Sequence, residues 1–393
     1  MRLLDAIPAS TVVARDFSAG AKAAEARLLA HGADWFASRR DADSAPAPTG
    51  RPGRLASLEW LPLGGAALQI PHALGAARRL LDAHDCKAIL VNADPVAGLL
   101  VAERLARERG LPLISDLRDP WGACELRRPL RPVHTRWIEG WAERRVMARS
   151  DRVILNTETT RQDYLKLYSD LDLEKFSTIR NHAEPALLGS GDASAPDFPV
   201  FTILFLGSFS RFVRPDPLLC LLAALKDRGV GSERLQLALT APLDVEGLAL
   251  ARRLRVAEQV RYQPPVRLGD VGELLQAADL LVLIAPTRQR IQAKFYDYVC
   301  SERPVLALAG DHPELHEMLD ETGAGAIFAA DRPADAAAWV TGFLEAGRHP
   351  VCTRSAAALD SLGSARASAR LAQLLDQVTS GSAEAVSCGG GAK

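Results

Sequence analysis

No CxxC pair and no short metal-ligand spacing occurs among the six cysteines, Cys86, Cys124, Cys220, Cys300, Cys352 and Cys388. That argues against a disulfide framework or a zinc knuckle and leaves small core residues or thiols of a reducing compartment. No apolar run approaches the roughly 18 residues that a membrane-spanning helix needs. At the amino terminus no long apolar core follows basic residues, so no signal peptide is expected. The expected location is cytoplasmic, with at most a peripheral membrane contact. Excess charge is missing too: 47 basic side chains stand against 48 acidic ones, a net charge of −1. No global field therefore draws nucleic acid or acidic partners. Lysine is rare among the basic residues, which makes Lys294 a less casual choice than an arginine would be.

A chain of 393 residues, 48% of them hydrophobic, suits two domains, each of about 170–200 residues. The first 85 residues carry the weakest signals. There, 11–14 suits a short strand, 23–29 a helix, 39–53 a loop or disordered segment, and 69–83 a helix. From 88 onward the pattern sharpens. Strands are expected at 88–91, 111–115, 152–155 and 177–179, with helices at 96–109, 133–148 and 158–167 between them. Residues 189–199, rich in Gly, Ser, Asp, Ala and Pro, read as a linker. Further strands follow at 201–206, 235–239, 259–262, 280–284, 304–308 and 326–328. Two such series imply an α/β protein of two doubly wound, parallel-sheet domains facing each other across a cleft. The expected organisation is a domain at 1–188, the linker at 189–199, a domain at 200–350, a helical segment at 351–378 and a disordered tail at 379–393.

Residues 291–310 combine a short helix, a turn at 301–303 and a buried strand, and the apolar run 280–284 precedes them. The loop 287–293 thus leaves a strand's carboxyl end and enters a helix, where amides and dipole favour an anion. Lys294 sits in that first helical turn, unfavourable for a cation unless something negative is near. Asp297 lies one turn further along the same face. Residues 207–217 (Gly-Ser-Phe-Ser-Arg-Phe-Val-Arg-Pro-Asp-Pro) follow the first strand of the second series. They offer Gly207 for close backbone approach and Arg211 and Arg214 for phosphate oxygens. This loop is not G-x-G-x-x-G, which disfavours a nicotinamide dinucleotide. Cations for phosphate and a carboxylate for ribose hydroxyls together suit a nucleoside diphosphate. The alternative is solvated arginines and a surface pair between Lys294 and Asp297.

In the first half, Asp116, Arg118 and Asp119 lie just past the strand at 111–115, again at a carboxyl edge. Asp119 is placed to orient or deprotonate an acceptor hydroxyl, or else to cap the loop as an Asp–Arg pair. His312-Pro-Glu-Leu-His316 has its glutamate one place away from the HExxH spacing, so a helix start is preferred to a zinc site. Trp137 and Trp141 share one helix face with arginines beside them. Packing on the sheet is preferred there to a membrane interface.

The run Lys294-Phe-Tyr-Asp-Tyr-Val-Cys-Ser-Glu-Arg-Pro-Val resembles the K-x-[FY]-E-Y-x-x-x-G-x-P-V signature of family-4-type, retaining glycosyltransferases with the GT-B fold. Asp116-Leu-Arg-Asp-Pro-Trp121 is similar to the D-x-R-D-P-W motif of a bacterial branch, and 207–217 to its glycine–arginine loop. The resemblance covers roughly 88 to 340 and implies two Rossmann-like domains, with a carboxy-terminal helix at 356–377 crossing back to the first. It implies that Arg214 and Lys294 hold the donor diphosphate, with Gly207 and Arg211 beside them, and Asp297 the ribose. Arg118 and Asp119 would face sugar and acceptor, with no metal or other cofactor. The implied partners are a nucleotide-sugar donor and a glycan, lipid-linked or small-molecule hydroxyl acceptor. Gln289 stands where many relatives have the first glutamate of a Glu-x7-Glu pair, and Glu302 near where they have a turn glycine. A nucleotide-sugar epimerase on the same fold, or a non-catalytic nucleotide-binding relative, are the alternatives.

Overall fold

Strands buried on both faces read as unbroken apolar runs, and such runs set the architecture here. The computed structural model describes Leu63, Ala67 and residues 69–388 apart from Asp94, 184–195 and Arg348, with side chains as far as Ser380. The strand, helix and loop expected within 11–53, and most of the expected linker, lie outside these residues.

The first half runs α1 (Ile70–Ala83), β1 (Ile89–Ala93), α2 (Ala97–Arg109), β2 (Leu113–Leu117), α3 (Val133–Arg149), β3 (Arg152–Leu155), α4 (Glu158–Leu167) and β4 (Phe176–Thr178). Its strands pair in parallel in the order β1-β2-β3-β4. The second half runs β5 (Phe201–Phe205), α5 (Asp216–Asp227), β6 (Leu235–Leu239), α6 (Val245–Arg253), β7 (Val260–Tyr262), α7 (Val271–Ala277), β8 (Leu280–Ala285), α8 (Ala293–Cys300), β9 (Val305–Ala309), α9 (Pro313–Thr322), β10 (Gly325–Ala329) and α10 (Pro333–Ala346). This sheet is also wholly parallel, in the order β10-β9-β8-β5-β6-β7. The chain closes with α11 (Ala356–Ser361) and α12 (Ser364–Cys388). Among the described residues no helix is long and apolar enough to cross a membrane.

Alternation along β8 shows how the second core is built. Leu281 and Leu283 meet Leu274, Phe295, Val299 and Leu315 from α7, α8 and α9. Leu280, Val282 and Ile284 meet Leu218, Leu222, Ala337 and Val340 from α5 and α10 on the opposite face. Helix α8 ends in a turn where Glu302 takes φ +62°, a left-handed conformation that costs a side-chain-bearing residue about 1–2 kcal/mol. Glycine's place in the resembled pattern is thus filled by a residue holding a glycine-like backbone, and its carbonyl accepts from Cys352 N at 3.1 Å.

Three expectations need correction. The single helix expected at 356–377 is broken between α11 and α12, because the chain there bridges to Ala183: Ala183 N donates to Leu362 O and Ser364 N to Ala183 O. Helix α12 then packs Leu374 and Val378 against Ile114, Ile154 and Ile179, so it does cross back onto the first sheet. It also continues to Cys388, well into the expected disordered tail. The alanines there favour helix, and only one glycine and no proline stand within that stretch to oppose it.

The third correction concerns α3. Trp137 and Trp141 are 73% and 59% exposed, not packed on the sheet. The helix turns Glu139 and Glu143 inward instead, with Ala142, Val146 and Met147. These carboxylates have partners inside: Glu143 accepts from Tyr164 Oη and Gly122 N, and Glu139 from Leu63 N. Burial raises the Glu143 carboxyl above its usual range despite those bonds.

Candidate active site

Helix α8 presents Lys294 and Tyr298 toward the loop that leaves β5, and Asp297 falls on the same helical face by its spacing. Tyr298 Oη accepts from Leu206 N at 2.9 Å, and Gly207 N donates to Thr240 Oγ1 at 2.7 Å, so the loop's first residues are fixed from two sides. Lys294 is partly buried with its ammonium end inward. It donates to Leu206 O at 2.8 Å and lies 3.8 Å from the centre of the Phe205 ring. Gly207 has φ +121°, and a Cβ there would stand 3.3 Å from Lys294 Nζ. Backbone conformation and space therefore both favour glycine.

Among the described residues, neither Lys294 nor Asp297 has found a counter-charge. Burial alone lowers Lys294 to about 7, and burial alone raises Asp297 to about 6. The surface pair considered between them does not form, since the ammonium turns to Leu206 O instead. A cation and a carboxylate, each desolvated and neither ion-paired among the described residues, stand one turn apart at a strand–helix junction.

Gly207 and Lys294 are thus brought together. Arg214 is engaged elsewhere: it pairs with Asp216 at 3.1 Å and with Glu246, at the start of α6, at 3.0 Å. Arg211 stacks on the Phe212 ring at 4.7 Å.

On the first domain's edge, Arg118 and Asn92 both donate to Asp116 Oδ2, at 2.8–3.0 Å, and Arg118 also donates to Ile179 O at 3.1 Å. Asp116 Oδ1 is buried with no hydrogen-bond partner. Across the cleft the Tyr296 hydroxyl of α8 is likewise buried without one. Burial first, and then the Arg180, Glu314 and Arg118 charges, set its ionisation, so the Asp116–Arg118 pair and α8 share one electrostatic neighbourhood. Asp119 pairs with Arg290 Nε at 3.0 Å. Asp119 therefore meets the loop before α8 through Arg290, while Arg118 acts on Tyr296 only through its charge.

Gln289 works between the halves. Its Oε1 accepts from Glu125 N at 2.9 Å, and its Nε2 donates to Ala123 O at 3.0 Å and Asp163 Oδ2 at 2.7 Å. An amide accepts on one side and donates on the other, which an ionised carboxylate cannot do. A glutamate here would leave Ala123 O without a donor and set a second negative charge against Asp163. Glu314 makes a second bridge, accepting from Glu158 N, Thr159 N and Arg180 Nε at 2.9–3.0 Å. His312 is the N-cap of α9, its Nδ1 accepting from Leu315 N at 3.2 Å, and burial lowers its basicity. Sequence reasoning overlooked Glu314, Asp163, Tyr296 and Tyr298. The two tyrosines lay inside the quoted motif and Glu314 inside the His312–His316 run read as a helix start, whereas Asp163 gave no local signal.

Residues 2–181 match the family described as Glycosyl transferase 4-like domain. Over 261 residues the chain is 28% identical to D-inositol 3-phosphate glycosyltransferase 2 of Catenulispora acidiphila, covering 62% of this chain and 59% of that protein. A related D-inositol 3-phosphate glycosyltransferase of Actinosynnema mirum is 29% identical over 36% of this chain and 37% of its own length. The chain thus spans less than two thirds of the curated relatives it matches. Among solved structures, sucrose-phosphate synthase from Thermosynechococcus elongatus superposes with a TM-score of 0.62 at 14% identity, over 84% of this chain and 82% of that one. HepE of Anabaena in complex with UDP gives 0.60 at 15% identity, over 80% and 84%. The chain takes the two-domain GT-B fold of these solved structures, and its residues 2–181 are similar to the glycosyl transferase 4-like domain.

Proposed function

We propose that the protein transfers a sugar from a nucleotide-diphosphate donor to a hydroxyl acceptor, with retention of anomeric configuration, in glycan or polysaccharide assembly. The observation that carries this reading is the Lys294 ammonium beside Gly207, desolvated and without a carboxylate partner among the described residues. A buried cation at a strand–helix junction is placed to meet an anion that the protein does not itself supply.

In this reading Lys294 holds the diphosphate, Arg214 joins it by exchanging Asp216 and Glu246 for phosphate oxygens, Arg211 adds a further cation, Gly207 admits the oxygens to the backbone and Asp297 accepts from the ribose hydroxyls. During transfer the bond between the anomeric carbon and the diphosphate oxygen breaks, and its electron pair leaves with the diphosphate. Lys294 and the first-turn amides of α8 stabilise the charge developing there. The acceptor oxygen bonds to the same carbon on the same face, and its proton passes to the departing phosphate oxygen. Arg118 and Asp119 line the acceptor side, where Asp116 Oδ1 can accept from an incoming hydroxyl. The scheme uses no metal and no further cofactor. An epimerase would need an acid or base near residue 289, and that amide is already taken up by Ala123, Asp163 and Glu125.

UDP and UDP-glucose, bound in the Anabaena structures, are the first donor ligands to try, and a phosphorylated polyol is the first acceptor, after the curated relatives' names. Acceptor-dependent release of nucleoside diphosphate is expected. Sugar interconversion without release would mark an epimerase, and binding without either would mark a non-catalytic relative. Asp119→Asn should lower kcat by about a hundredfold or more while UDP affinity stays nearly intact. A collapse of UDP affinity instead would move Asp119 to the donor side or to a structural role.

A further inference from the structure

Helix α3 is inside out: both its acidic residues are buried, and both its tryptophans project outward. Val133, Trp137 and Trp141 follow one another at i, i+4 and i+8, with Leu130 and Ile138 exposed beside them. Such a strip is continuous along one helical face. Around it stand Arg128 and Arg136, exposed and without a side-chain partner among the described residues. Arg145 stacks on Trp141 at 5.8 Å. With Glu139 and Glu143 turned inward, the helix offers no carboxylate on its outer face.

We propose that this face of α3, with the turn before it, seats the protein on an anionic lipid bilayer. Indole rings suit the headgroup boundary, where an apolar ring and a polar N–H are both accommodated. Arginines flanking them meet the negative surface potential of acidic lipids. An amphipathic helix with aromatic and aliphatic residues on one side and cations around them lies in the interface plane. A two-fold contact with a second copy of the chain is disfavoured by the same charges, because a self-complementary patch would bring its unpaired arginines close to their own symmetry mates.

The test reads binding alone, with no donor or acceptor present, so its failure would leave the glycosyl-transfer reading standing. The full chain is floated with vesicles of phosphatidylcholine containing roughly one-third phosphatidylglycerol, and with pure phosphatidylcholine, at low and high salt. Binding is expected on the anionic vesicles only, with release at high salt. Trp137→Ser combined with Trp141→Ser should weaken it more than about tenfold. Arg128→Glu combined with Arg136→Glu should weaken it by about fivefold or more per site. All four side chains are exposed, so melting temperatures should not move, and a variant that does melt lower is replaced by the glutamine substitution at the arginine sites or the alanine substitution at the tryptophan sites. Absence of flotation, variants that float like the parent, or equal flotation on neutral lipid would overturn the proposal. So would finding by sedimentation that the same substitutions split a dimer, which would assign the face to a second copy.

Discussion

Lys294→Ala is expected to weaken UDP binding roughly ten- to a hundredfold, the worth of one charge-assisted hydrogen bond of about 1.5–3 kcal/mol, while uridine binding hardly changes. Asp297→Ala should weaken both ligands, because ribose is common to them. Titration calorimetry with UDP and uridine decides the matter, and equal losses on both ligands for Lys294→Ala would mean that the phosphate assignment is wrong. The same lysine sets a pH dependence. In the empty site it titrates at about 7, and a bound diphosphate favours the charged form and raises that value. Above pH 7 binding must therefore take up a proton, and affinity should fall as pH rises, by up to about tenfold per unit. Below pH 7 the lysine is already charged and contributes no slope.

Stability moves the other way. Lysine in the unfolded chain keeps its ordinary value of 10.5, against about 7 in the fold. Between those values the unfolded state binds more protons, so the empty protein gains stability as pH rises, and the burial cost is fullest below pH 7. Lys294→Met should accordingly raise the melting temperature of the empty protein at neutral pH and abolish most of the further rise that UDP confers on the parent. A thermal-shift series with and without UDP reads both effects. A lower melting temperature for the empty variant would show the ammonium to be stabilising where it sits.

Glu314→Ala should separate the two domains thermodynamically. This carboxylate is only 5% exposed and accepts from two backbone amides, the Thr159 hydroxyl and Arg180, all in the first half of the chain. Removing it leaves the buried amide donors without an acceptor, at a cost of roughly 1–3 kcal/mol, with Arg180 exposed enough to turn to water. Scanning calorimetry is expected to resolve two unfolding transitions in place of one cooperative event. Glu314→Gln, which retains an acceptor oxygen for the α4 amides, should lose less. A single transition with an unchanged midpoint would exclude the carboxylate as a coupling element.

Most of the second sheet was legible because its strands are buried on both faces. The run at 235–239 needs no partner to be recognised, and β6 has those bounds. The run at 152–155 and the helix at 158–167 were equally plain, the latter because Thr157 caps it by accepting from Thr160 N. Helix α3 was misread because its inward carboxylates depend on Tyr164, Gly122 and Leu63, contacts that local periodicity does not encode. At the site, Lys294 and Gly207 were visible as residue types at strand–helix turns. The fate of Arg214 was not, since Glu246 approaches from the start of α6, thirty-two residues on. Gln289 looked like a lost charge because its partners, Ala123, Glu125 and Asp163, belong to the other domain.

The order of the second sheet has a consequence for how such a protein can diversify. Strand β5 lies between β8 and β6. Its chain leaves toward α5 on one face, while that of β8 leaves toward α8 on the other. Two adjacent strands thus send their loops apart, and a crevice opens between them at the carboxyl edge through connectivity alone. No side chain has to be kept for that opening to exist. The loops at 206–215 and 286–292 can be exchanged, lengthened or recharged to suit another base or sugar while the strands beneath stay as they are. Specificity is a detachable trait here, and the crevice is an inherited one.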